Sequence, residues 1–168
     1  LTGALVLLAV AGTASATQAV AKPGFPAGTW NGAGVLAAKT ETVADLTTRT
    51  SGSAKFALTV SKAGRVTGKG TWKVTQIGSG SVGSRITGVA TVTFSGTPTS
   101  VRFKGTEVVT TKFVDPAHST GTTFTKKEPY RGGLAIKKAG SCLVTGGHAF
   151  DGGKFSWKAA LKGVTCRS

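Results

Sequence analysis

The 168-residue chain contains no methionine, one tyrosine, two histidines, two cysteines and only six acidic residues. Scarce acids and histidines leave little for catalysis or metal binding. Every acid–base, carboxylate-pair or metal arrangement must draw on Glu41, Asp45, Glu107, Asp115, Glu128, Asp151, His118 and His148. No i, i+2 or i, i+4 pair among them has further ligands near it, so no metal site is expected. The two cysteines cannot make a zinc centre with four ligands at the usual spacing. No Gly-x-Ser-x-Gly elbow is present. No apolar run reaches the roughly 20 residues that a membrane-spanning helix needs, and no long window carries a 3.6-residue apolar stripe. Helical bundles and transmembrane helices are thereby set aside, and no cofactor is expected.

What the chain has in quantity is glycine and positive charge. It carries 25 glycines and 21 lysines and arginines, for a net charge of +15. A surface so charged repels itself and collects anions such as acidic polysaccharide, wall polymer, lipid head groups or nucleic acid. Lysines outnumber arginines, which favours hydrated point charges over bidentate phosphate forks. No specific nucleic-acid motif accompanies them.

Residues 1–19 run Leu1-Thr-Gly-Ala-Leu-Val-Leu-Leu-Ala-Val-Ala-Gly12 and then Thr13-Ala14-Ser15-Ala16-Thr17-Gln18-Ala19. A short apolar run followed by small residues reads as a secretory signal whose beginning is missing, cut near Thr17 or Val20. The expected location is extracellular, with retention at the cell envelope open. In that compartment Cys142 and Cys166 are expected to form a disulfide. Residues 20–29 read as a flexible Pro/Gly lead-in, and 30–168 as a single β domain, taken as a monomer.

Two-residue periodicity dominates the domain. Phe56, Leu58 and Val60 alternate with the small residues Ala57, Thr59 and Ser61; Val66, Trp72 and Val74 alternate with Arg65, Lys69 and Lys73. Ile86, Val92 and Phe94 form a third such series, Val101 and Phe103 a fourth, and Phe155, Trp157 and Leu161 a fifth. Such alternation marks half-buried antiparallel strands, with turns at 61–64 and 95–99. Weaker strands are expected at 30–37, 108–114, 133–137 and 141–145. The segment 35–49 is the one arguable helix, or else an irregular loop. Seven to nine short strands suit an antiparallel meander closed or partly open as a β-barrel, with a β-sandwich as the alternative. Inward glycines at 68, 70, 88 and 105 favour the barrel, because closure needs sharp coiling.

Gly28-Thr29-Trp30-Asn31-Gly32, followed by a run of hairpins, resembles the opening of calycin-type barrels, the avidin and lipocalin relatives. The resemblance implies a ligand-holding barrel with the tryptophan plugging one end. It covers five residues, lacks counterparts of the biotin-binding residues and of a second lipocalin motif, and transfers no residue roles.

The outward rows supply the candidate binding residues: Lys69, Lys73, Arg102 and Lys104, joined by Arg85 if the central strands are sequential neighbours. They form an expected site for an anionic polymer or surface. A barrel enclosing a small apolar ligand is the second expectation. Asp115-Pro-Ala-His118-Ser119 and His148-Ala-Phe-Asp151 are the candidate catalytic groupings of a secreted hydrolase, with His118, His148 and Asp151 as acid–base candidates. A protease inhibitor is a further possibility, although no reactive loop is identifiable. Gly78-Ser-Gly80-Ser-Val-Gly83 opens no helix and reads as a turn, not a phosphate cradle.

Overall fold

The computed structural model describes residues 22–79, 83–114, 121–150 and 153–166. Among these, eight antiparallel strands follow one another around a closed barrel. They are β1 (Gly28–Val43), β2 (Leu46–Val60), β3 (Val66–Ser79), β4 (Gly83–Thr97), β5 (Ser100–Val114), β6 (Gly121–Ala139), β7 (Leu143–Phe150) and β8 (Gly153–Leu161). Each strand pairs with its sequence neighbour, and β8 returns to β1, setting Trp30 opposite Leu161 and Leu36 opposite Phe155. Closure decides for the barrel over the sandwich.

The period-two series builds this wall because its apolar phase has one interior to fill. Trp30, Leu58, Val66, Val92, Val101 and Phe155 are almost completely buried. Phe56, Trp72, Phe94 and Phe103 stack and tilt against one another with ring centroids 5.0–6.3 Å apart. Gly68 and Gly105 permit the coiling: a methyl at either position would run into a facing backbone carbonyl, that of Ala57 or Thr91. Close backbone approach of this kind is what glycine allows in a strongly bent sheet.

Strands β1 and β2 run further toward their shared turn than the sequence pattern indicates. Val35–Arg49 is neither helix nor loop; it forms the outer half of the β1–β2 hairpin, turning at Ala44, whose φ is 53°. The β-branched run Thr40, Thr42, Val43, Thr47 and Thr48 favours extension, and cross-strand pairing satisfies its backbone. An irregularity in register between Leu36 and Lys39 blurs the two-residue rhythm there.

The barrel has two unlike ends. At one, the Pro/Gly stretch before β1 runs across as a plug: Phe25 is buried, and its amide donates to the Pro98 carbonyl at 3.1 Å. The Phe25 ring meets Trp30 edge-on and stacks on Trp157. The Trp30 indole donates to the Pro26 carbonyl at 2.9 Å. Near this end Cys142 and Cys166 form a disulfide, with Cα atoms 5.8 Å apart, tying the segment after β8 to the start of β7.

At the other end the wall is uneven. The β7–β8 hairpin is short, so among the described residues β1 beyond Leu36 and β6 before Ala135 have only one strand neighbour each. Above Trp72 the interior is no longer filled.

Candidate functional site

Two surfaces can carry function: the outer wall over β3–β6 and the unfilled half of the lumen.

On the outer wall, register forms a transverse row. Lys69 faces Thr93, Thr93 faces Lys104, and Lys104 faces Arg131. Adjacent strands lie about 4.8 Å apart, so the row spans roughly 14 Å. Arg102 lies two residues from Lys104 on β5, on the same side. Lys69, Arg102, Lys104 and Arg131 thus rim one shallow depression floored by Thr91, Thr93 and Thr106. Lys73 faces Val89, about 13 Å along β3 from Lys69. Arg85 shares the outer face but sits near the open end, opposite Ile77 and Lys112. Three of the five residues expected from the sequence therefore come together, Lys73 flanks them, and Arg85 belongs to another part of the wall. Arg131 completes the cluster; its strand phase is obscured by Pro129, Gly132 and Gly133, and only register with Lys104 reveals it.

Charge is sorted by sign across the wall. Among the described strands, the charged residues in the outward phase are all cationic, including Arg49, Lys55, Lys127, Lys154 and Lys158 besides the cluster. Glutamates occupy the opposite phase. Glu107 lines the lumen, and Glu128 stands opposite it. Lys39 and Glu41 face Thr50 and Thr48, the first of which also lines the lumen. Lys39 pairs with Glu41, and Lys126 with Glu128.

The lumen above Trp72 holds a cavity of about 180 Å³. Its walls are Trp72, Val74, Ile86 and Val109; its polar groups are Thr50, Gln76, Glu107 and Tyr130. Burial, and next the charge of Glu128, push the Glu107 carboxyl above its ordinary 4.5. Burial, and next the charge of Glu107, push the Tyr130 hydroxyl up to about 12. Both groups are therefore in environments that resist added negative charge.

Below the cavity Tyr130 reaches His148, a buried residue of β7, with 3.0 Å between the hydroxyl and Nε2. Nδ1 of His148 lies 3.3 Å from the Gly133 carbonyl. A carbonyl only accepts, so Nδ1 carries the proton, and Nε2 accepts from Tyr130. Burial lowers the imidazole below its ordinary 6.5, and the Gly133 hydrogen bond opposes this in part. His148 is thus held neutral within an aromatic cluster of Trp72, Phe103 and Tyr130. Of the other catalytic candidates, His118 and Asp151, with Asp115 and Ser119, lie outside the described residues. Among the described residues no three His, Cys, Asp or Glu side chains gather as a metal site.

Compared with protein-family models and with curated proteins, the chain matches none.

Proposed function

We propose that this chain is an exported, non-catalytic binding barrel that engages an anionic polymer or surface through the outer face of β3–β6. The observation that carries the reading is the absence of carboxylates from the outward phase of the described strands. Lys69, Arg102, Lys104 and Arg131 therefore have no acidic neighbour on their own face to neutralise them. An array of unneutralised cations gains affinity by releasing counterions from a polyanion, and loses it steeply with salt. The hydrated lysines and threonine floor suit charge density over sequence or shape. Trp30, Trp72 and Trp157 are buried and offer no stacking platform for single-stranded nucleic acid. A wall polymer, acidic glycan or anionic lipid surface is the class of partner that fits.

The signal-like start, the disulfide and the cationic exterior support an extracellular location. Burial of Trp30 at the plugged end supports the resemblance of Gly28-Thr29-Trp30 to the calycin-type opening.

Retention on heparin and polyphosphate resins tests the reading. The K69Q/R102Q/K104Q/R131Q variant is expected to elute at clearly lower salt than the native chain while keeping its unfolding midpoint. Retention equal to that of the native chain dismisses this face.

A further inference from the structure

The lumen has a chemistry opposite to that of the outer wall. Its inward-phase charges at the open half are two lysines, Lys39 and Lys126, against three glutamates, Glu41, Glu107 and Glu128. The lysines are each paired to the glutamate two residues along their own strand, Glu41 or Glu128. Glu107 remains: among the described residues it pairs with no cation, and its direct strand neighbour on β6 is Glu128, a like charge. In a chain with a net charge of +15, this lumen carboxylate has no paired cation among the described residues. It sits in a cavity with four apolar walls and with hydrogen-bonding groups from Thr50, Gln76 and Tyr130. Gly88 keeps the space before it open, since a side chain there would strike the Glu107 carboxylate.

We propose that this cavity is a binding site for a small amine with an apolar or aromatic body, its ammonium group held by Glu107 and its body packed between Trp72, Val74, Ile86 and Val109. The site is independent of the outer face and of the polyanion reading. A cavity of about 180 Å³ is close to the engineered apolar cavity of roughly 150 Å³ that holds a benzene ring. One ring or a short branched chain fits it, while a longer tail must lead toward the open end. The ammonium supplies the counter-charge that Glu107 lacks and separates it electrostatically from Glu128. The rings of Trp72 and Tyr130 add a face for the cation. An anion of the same shape meets an unneutralised carboxylate in a partly desolvated site and is rejected. The cationic exterior does not prevent entry, because its field is screened over about 8 Å at physiological salt and the mouth pairs are neutral.

The test uses three probes of one shape: 2-phenylethylamine, 2-phenylethanol and phenylacetate. Each is titrated against the intact chain while methyl resonances of Val74, Ile86 and Val109 are followed. The amine is expected to shift these methyls saturably, the alcohol to bind at least about tenfold more weakly, and phenylacetate not to bind. Glu107→Gln is expected to weaken the amine at least about tenfold and leave the alcohol unchanged. Gly88→Val is expected to abolish binding of both. Should the valine fail to fold, the Glu107→Gln comparison decides alone. Equal affinity for amine and alcohol, undiminished amine binding by Glu107→Gln, or no saturable shift with any probe overturns the proposal.

Discussion

Glu107 on β5 and Glu128 on β6 stand directly across from each other in the barrel wall. Like charges at facing positions destabilise a sheet, and here the more buried member also pairs with no cation among the described residues. Its carboxyl is held above its ordinary 4.5, so the folded state binds that proton more tightly than the unfolded state does. The stability this confers is complete in acid and is lost as pH rises through the folded-state value. Glu107→Gln removes the loss. The variant is expected to melt higher than the native chain at pH 7, with the two converging at about pH 4. Thermal unfolding at both pH values checks this; a variant less stable at pH 7 contradicts it.

His148 works in the other direction. Burial depresses its folded-state pKa below 6.5, so the unfolded chain takes up the proton first as pH falls. Its contribution is fully present above the unfolded value and is lost as pH falls from there through the folded-state value. The His148 contribution is therefore expected to lower the melting temperature as pH falls from about 7.5 to about 5.5. The drop is expected to be shallower in His148→Gln, which cannot charge.

The plug across the closed end makes a separate claim about stability. Phe25 is 2% exposed and packs against Trp30 and Trp157. Phe25→Ala is expected to cost about 3 kcal/mol or more in urea unfolding, as buried phenylalanines do. A cost near zero would mean that the plug contributes nothing to the core.

Cys142 and Cys166 close a loop at the same end of the molecule. Replacing both with serine is expected to lower unfolding stability by about 3 kcal/mol on the chain-entropy account. The far-UV spectrum is expected to stay that of the β-barrel, since both cysteines lie outside the eight paired strands.

Much of this architecture was legible in the amino-acid order, and the reasons are local. The Phe56–Val60, Val66–Val74 and Ile86–Phe94 series alternate cleanly because one face of each strand fills the barrel. The expectation of an all-β meander of seven to nine strands rests on that alternation. At 35–49 the pattern failed for a physical reason: past the irregularity after Leu36 the strands leave the filled core, both faces are wet, and no apolar phase remains to read. Lys69, Arg102 and Lys104 could be found by phase alone, whereas Arg131 needed its register partner. Arg85 shows the converse: phase gives the face but not the height along the barrel. The lumen was less visible still. Glu107 and Tyr130 lie far apart in sequence from Thr50, Gln76 and Ile86, and only closure of the sheet brings them around one cavity. No spacing rule links such residues before the strand order is known.

The central claim is that the placement of charge, rather than its total, makes the outer wall a polyanion surface. Binding of a fluorescent heparin fragment, measured by anisotropy from low to moderate salt, tests it with two variants of equal charge change. K104Q/R131Q removes two cations from the outer row; K39Q/K126Q removes two from the inward phase. The outer pair is expected to flatten the dependence of log affinity on log salt by about 1 per residue, and the inward pair to leave it close to native. Identical slopes for the two variants would contradict the account.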